Sequence, residues 1–422
     1  MTVTSSSPQI SARRRRIALF SLALGGFGIG STEFVAMGLL PNIAHDLLPA
    51  LYAHSAEAAT AHAGWLVSAY ALGVVVGAPT IAATTSHVPR KKLLLILLVA
   101  FVVGTLASAV LPSFGWVLVA RFAAGLPHGA YFGIASLAAA HLMGPGNRGK
   151  GVAFVLSGLT VANIVGVPGI TYLGQQTDWR VAYLAVAAIF VVTFFAIWAA
   201  LPPQAADHGA SIKREMRAFR QPQVWLMMGV GAIGFGGFFA VYSYISTAVT
   251  VGAGFPEGLV PFVLVGVGVG MTIGNIIGGW ATDRNIKLTI YVGFAGLLVS
   301  LVGYGLTSSS IVGIFGFAFL LGLTSSVINP SIQTRLMNVA GESRVIAAAL
   351  NHSAFNLGNS LGAALGGAVI AAGFGVGAPA WVGVVLLILG LVLVTISFGV
   401  ERRALLRGAV SYTDTGTIRT HA

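Results

Sequence analysis

The sequence predicts an all-α membrane protein of twelve transmembrane helices in two six-helix bundles, with both termini cytoplasmic. Three observations predict it. Hydrophobic residues make up 56% of the 422-residue chain and charged residues 8%, where a soluble domain carries about 25% charged. Apolar runs recur in blocks of roughly 20 residues, the length of helix that crosses about 30 Å of hydrocarbon. The basic residues gather on one side of those runs. Ten-residue segments of alternating polarity, which a membrane β-barrel would need, are absent from the sequence.

The first run starts after Arg13–Arg16 and continues to Leu40 without a small-residue cleavage site, so it reads as a retained first span rather than a signal peptide. Six spans fall near 17–40, 62–84, 93–111, 115–140, 152–173 and 181–201, and six more near 223–248, 259–281, 288–307, 311–335, 346–371 and 380–400. The domain reading follows: a tail at 1–16, an N-terminal bundle at 17–201, a linker at 202–222, a C-terminal bundle at 223–401 and a tail at 402–422. The linker is polar, has proline near both ends, and holds "IKREMRAF", which reads as a short surface helix. The tails read as disordered, and residues 41–61 as a long external loop.

With a cytoplasmic N-terminus, all 23 Lys and Arg but Arg121 and Arg180 lie on the inside. The net charge of +12 is therefore a topology signal and a contact with anionic lipid, and nucleic acid is not expected as a partner. Cysteine is absent, which excludes disulfides and thiolate metal sites. His45, Asp46, His54 and Glu57 match no usual metal-ligand spacing, so no metal site is expected.

The halves repeat. Gly73, Gly77 and Thr85 recur as Gly270, Gly274 and Thr282 (270 − 73 = 197), and Gly125 recurs as Gly322 at that offset. "NIVG" from Asn163 recurs as "NSLG" from Asn359, and Arg148 as Arg344, one residue closer. Repeats in the same orientation place a binding site at midplane between the bundles.

Of the 11 acidic residues, only Glu33 sits well inside a span. A charge there costs roughly 2.5–3.5 kcal/mol on insertion scales, so it is a functional candidate. Counted along the helix, it lies about 10 Å beneath the outer edge, and Arg121 on the antiparallel fourth span lies about 9 Å beneath it. Matched depth predicts that the two interact, directly or through water; at 4 Å such a pair gains roughly 4 kcal/mol before desolvation. A static pair that only pins the two spans is the alternative. His128 follows Arg121 by two turns and reads either as a proton relay or as a packed neutral histidine. His352 reads as packed.

Further candidates surround these residues. Phe235, Phe238, Phe239 and Tyr242 share one face of the seventh span and suit a cavity for flat, moderately apolar solutes, or else lipid-facing packing. Asn163, Asn329, Gln333 and Asn356 are polar cavity candidates. Gly158, Gly166, Pro168 and Gly169 in the fifth span suggest a hinge, because proline removes a backbone hydrogen bond. Gly279, Asp283 and Arg284 end the eighth span, and with Arg90 they suggest a cytoplasmic gate.

The stretches "TEFVAMGLLPNIA", "YALGVVVGAPTIAA", "RFAAGLPHGAYFG", "SGLTVANIVGVPGITYLGQ" and "FNLGNSLGAALGG" cover nearly the whole chain. Together they resemble the major facilitator superfamily and its drug/proton antiporter group, closest to the sugar-efflux and arabinose-induced permease-like proteins, with chloramphenicol and purine exporters nearby. The resemblance implies that Arg121 takes part in proton coupling and that Gly158 to Gly169 form the antiporter motif. The motif between spans 2 and 3 lacks its usual aspartate, with Ser86 where Asp283 stands in the second half.

The resulting expectation is a monomeric secondary transporter in the bacterial plasma membrane, exporting a small organic solute against inward proton flow. The proton is the coupling ion, and no other cofactor is expected. A proton-coupled importer of the same fold is the runner-up. An enzyme would need paired carboxylates, a nucleophile with its base, or convergent metal ligands, and the sequence offers none of these.

Overall fold

The computed structural model describes residues 11–85, 88–144, 147–204, 219–340, 344–407, 410–412 and 418–420. Ten of its helical segments are long and apolar enough to cross a bilayer. Their lipid-facing sides carry exposed Val, Ile, Leu, Phe and Trp. Their inner sides meet through small residues, the usual means of close approach where no hydrophobic drive pulls helices together.

In chain order, α1 (Ala12–Leu47) is followed by α2 (Pro49–His54), α3 (Ala56–Ala63), α4 (Trp65–Thr84), α5 (Arg90–Val110), α6 (Phe114–Gly125), α7 (His128–Met143), α8 (Arg148–Val161), α9 (Val167–Gln176) and α10 (Trp179–Ala200). The second half holds α11 (Pro222–Gly229), α12 (Phe235–Tyr242), α13 (Ile245–Thr247), α14 (Val260–Thr307), α15 (Ile311–Val339), α16 (Arg344–Val369) and α17 (Ala378–Leu406).

Several elements depart from the sequence reading. The first helix does not stop at Leu40; it runs through Pro41 to Leu47. Proline has no N–H to give the carbonyl four residues back, here that of Met37. The hydroxyl of Ser246, from α13, donates to that carbonyl at 2.7 Å, so a side chain from the other half of the chain satisfies the freed group. Residues 41–61 are mostly helical rather than loop, through the end of α1, α2 and most of α3, with breaks at Leu48 and Ser55. Asp46 at that end accepts from the Trp179 indole and the Arg180 guanidinium, each at 3.0 Å.

The predicted fourth span is broken. α6 ends at Gly125, Leu126 and Pro127 form a turn, and α7 starts at His128. Pro127 cannot continue the α6 hydrogen-bond ladder. Residues 260–307 are two helices that meet at a kink, where Asn285 is extended (φ −158°, ψ 94°). α8 and α9 are joined by a π turn at Ala162–Gly166, directly before Pro168. The wider turn accommodates the proline's missing donor. In the C-terminal tail, Val410–Tyr412 pairs antiparallel with Ile418–Thr420, where no ordered structure was expected. Most of the linker's "IKREMRAF", and Ser86, lie outside the described residues.

Two large apolar clusters form the interior. One draws on residues from Ala18 to Leu201. The other draws on residues from Val224 to Val394 and reaches across to Phe34, Met37, Leu40, Ala61 and Val67. The halves are thus sealed against each other at the α2–α3 end. Hydrogen bonds reinforce the seal: Ser68 Oγ donates to Ser360 O at 3.1 Å, and the Tyr244 hydroxyl, which donates to Ala363 O of its own half at 2.6 Å, lies 3.4 Å from Ala61 O across the seal. A Cβ added at Gly64 or Gly367 would fall 2.0 or 2.3 Å from that hydroxyl, so both positions need glycine for Tyr244 to sit between α4 and α16.

Candidate functional site

Directly beneath this seal lies a cluster of polar side chains, nearly all buried. α1 brings Thr32 and Glu33, α4 brings Tyr70, α6 brings Arg121, α7 brings His128, and α16 brings His352 and Asn359. Glu33 is 5% exposed and Arg121 is wholly buried.

The Glu33 carboxylate is approached from both halves of the chain. Its Oε1 accepts from Asn359 Nδ2 at 3.4 Å, and its Oε2 is 4.0 Å from His128 Nδ1. That same His128 nitrogen is 3.2 Å from the Tyr70 hydroxyl. His128 lies 6.3 Å ring to ring from His352, which stacks on Phe132 at 5.7 Å. Tyr70 and Glu33 thus both face His128 Nδ1, with the His352 ring beside them.

Arg121 sits next to these residues. Its Nη1 donates to the Thr32 carbonyl at 3.0 Å and to Thr32 Oγ1 at 3.3 Å. Its guanidinium lies over the Tyr70 ring at 4.4 Å and near that of Tyr183 at 5.4 Å, a cation–π setting in a desolvated place. Glu33 and Arg121 do share a region, as their depth predicts. In this conformation the arginine's hydrogen bonds go to Thr32, the residue before Glu33, and the carboxylate's nearest cationic candidate is His128. Arg121 Nε and Nη2 have no hydrogen-bond partner among the described residues.

The other candidates divide. Phe235, Phe238, Phe239 and Tyr242 are buried and do not face lipid. Phe239 and Tyr242 meet Phe34 of α1 at 6.4 and 5.7 Å, and Phe235 meets Phe355 of α16 at 4.4 Å. They form an aromatic wall that reaches Phe34, the residue after Glu33. Asn163 lies in the π turn and Asn356 on α16, both 5% exposed, each with a carboxamide oxygen that lacks a donor. Asn329 and Gln333 are half-buried on α15.

A Cβ at Gly158 would fall 2.0 Å from the Ala23 carbonyl, and one at Gly166 would fall 2.7 Å from the Ser31 hydroxyl, so α1 and α8 touch backbone to backbone. Gly169 faces open space, and Pro168 is buried. Gly279 has open space on its Cβ side, and Asp283 is exposed. Arg284 folds back onto Trp280, with its guanidinium 3.5 Å over the indole. Arg90 is half-buried. Among the described residues no cluster of His, Asp and Glu could hold a metal ion.

Tyr70, Thr32 and Asn359 were not singled out as site residues in the sequence. Asn359 carried a signal all the same, because α16 holds Asn351, Ser353, Asn356, Asn359 and Ser360, all buried, in a segment long enough to span a membrane.

A buried, partly unpaired polar cluster between two sets of membrane-crossing helices is what a membrane transporter places on its substrate or ion path. The chain belongs to the Major Facilitator Superfamily, whose family profile matches residues 22–345 and 262–409. It is 36% identical over 379 residues to the inner membrane transport protein YdhP of Escherichia coli (strain K12), covering 90% of this chain and 95% of that protein. It is 30% identical over 350 residues to the chloramphenicol resistance protein of Streptomyces lividans, covering 82% and 87%. In fold it is similar to an inward-facing bacterial homologue of the human lysosomal transporter Spinster, with a TM-score of 0.71 at 14% identity, covering 92% of this chain and 97% of that one. This protein is a multi-pass transporter of the bacterial plasma membrane, and not an enzyme.

Proposed function

We propose that the chain is a proton-coupled exporter of a small organic solute, working by alternating access with Glu33 as the proton-binding group. One observation carries the reading: the buried Glu33 carboxylate is contacted by Asn359 from the opposite half of the chain. A charged carboxylate accepts that hydrogen bond; a protonated one also becomes a donor. Loading or releasing a proton thus changes a contact between the halves, which is what coupling requires.

The remaining parts have stated tasks. His128 and Tyr70 pass the proton to or from Glu33. Arg121, hydrogen-bonded to Thr32, holds a fixed positive charge beside this site. The aromatic wall from Phe235 to Tyr242 contacts the solute. Counting α6 and α7 as one span, and the two helices that meet at Asn285 as two, gives twelve spans. We read these as bundles at 17–201 and 223–401 with both termini cytoplasmic. On that orientation the seal faces outward, and the protein acts as a monomer. The resistance protein among its relatives supports the outward direction.

The test uses everted membrane vesicles acidified by respiration and an acidity-sensitive dye. A panel of chloramphenicol, pentoses and purines is added in turn. Export coupled to protons predicts that one of them releases protons from vesicles holding this protein and not from control vesicles. Proton entry on addition of the same solute would assign import instead. No response to any of the panel, with the protein verified in the membrane, would count against proton coupling to these solute classes.

A further inference from the structure

We propose that a cavity at the linker end of the C-terminal half binds a phosphate group, carried by an anionic lipid headgroup or free in solution. The inference does not depend on the transport reading. The cavity, about 440 Å³, opens where three helix ends converge: α14 just past the Asn285 kink, the end of α15 and the end of α17. Lys287, Arg335, Asn338, Phe398, Glu401 and Arg402 line it.

Arg335 makes the site. It is 4% exposed, and its Nη1 donates to Glu401 Oε1 at 2.7 Å. Its Nε and Nη2 have no hydrogen-bond partner among the described residues. Buried donors are almost always satisfied, so a guanidinium with two unpartnered donor nitrogens calls for an acceptor. The charge balance points the same way. Arg335 and Lys287 lie 4.9 and 5.4 Å from the centre of one ring, Phe398, and Arg402 stands at the exposed rim. Among the described residues three cations face one carboxylate, leaving room for an anion. A phosphate fits the guanidinium fork, and a lysine adds a point charge to it.

The position favours a lipid as the carrier. Leu288 and Leu406, neighbours of the lining residues, are 59% and 79% exposed, so the rim lies at the edge of the lipid-facing belt. Basic pockets between membrane helices bind anionic lipid head groups.

The test places the full chain in nanodiscs of phosphatidylcholine with graded phosphatidylglycerol and reads retained lipid by native mass spectrometry. Inorganic phosphate added to pure phosphatidylcholine discs is the second arm, read as thermal protection. Lys287→Gln with Arg402→Gln removes the rim charges without touching the buried pair. Arg403→Gln with Arg407→Gln removes two exposed charges outside the cavity and serves as control. Saturable retention of phosphatidylglycerol is expected for the wild type and the control, and about 25-fold weaker retention for the rim variant, at roughly one decade per 1.4 kcal/mol. Arg335→Lys, which keeps the charge near Glu401 but loses the fork, is expected to lose the preference as well. Protection by phosphate in pure phosphatidylcholine, lost in the rim variant, supports the site with a soluble carrier. Equal retention by all variants, or neither lipid preference nor phosphate protection, overturns the proposal.

Discussion

At the scale of single residues, the site is a set of charges held where hydrocarbon would penalise them. Glu33 and Arg121 are tolerated because each is enclosed by polar or aromatic partners rather than by lipid. Arg121→Lys keeps the charge but loses the planar contact with Tyr70 and the aimed hydrogen bond to Thr32. It is expected to destabilise the folded protein by about 2 kcal/mol, read as a lowered thermal midpoint in detergent; an unchanged midpoint would contradict the packing described. Tyr70→Phe removes only the hydroxyl 3.2 Å from His128. Its expected cost is about 1 kcal/mol of stability, with a several-fold fall in gradient-driven flux. A variant with full flux would take Tyr70 out of the proton path.

Which residues carry charge into the membrane was legible from the sequence, because a lone acid or base in an apolar run stands out. What each one touches was not. Depth along a helix places Glu33 and Arg121 at one level, but the rotation of each helix decides that the guanidinium meets Thr32 while His128 and Asn359 meet the carboxylate. The Arg335–Glu401 pair was missed for a related reason. Both residues lie at span ends, where a long charged side chain is expected to reach water, and only packing shows that this pair is buried.

At the scale of elements, the prolines explain where helices depart from regularity. Pro41 frees the Met37 carbonyl, and Ser246 takes it. Ser246→Ala should leave that carbonyl unpaired and cost about 1 kcal/mol. Pro41→Ala restores the intrahelical donor, so in the Pro41→Ala background the serine's removal should cost little. The difference in thermal stability across the four proteins measures the coupling; purely additive effects would show that the two residues do not share the carbonyl. The glycines set helix spacing in the same direct way. Gly158→Val would drive a side chain into the Ala23 backbone, and the folded yield should collapse. Span positions were readable from 20-residue apolar runs. The helical continuation past Pro41 and the break before His128 were not, because proline marks a lost hydrogen bond without saying whether a neighbour replaces it.

At the scale of the whole molecule, the two halves are closed on each other at the α2–α3 end. Movement between them must part Ser68 from Ser360 and Tyr244 from Ala61. The chain has no native cysteine, so Ser68→Cys with Ser360→Cys gives a clean pair for a short bifunctional thiol reagent. Cross-linking is expected to stop flux, and reduction of a cleavable linker to restore it, with neither single variant affected. Undiminished flux through the cross-linked protein would show that this seal does not open during transport. The two-half plan was visible in the repeat of glycines at a constant offset. The contact between the halves was not, since an internal repeat says nothing of which conformation a chain prefers.

The most direct test of the central claim is an infrared difference spectrum between acid and alkaline pH for the protein in lipid, which needs no solute. Glu33 as the exchanging group predicts a protonated-carboxyl component in the wild type that is lost in Glu33→Gln, a variant matched in shape, while the signal of the other carboxyls stays. A band of the same position and size in Glu33→Gln would contradict the account.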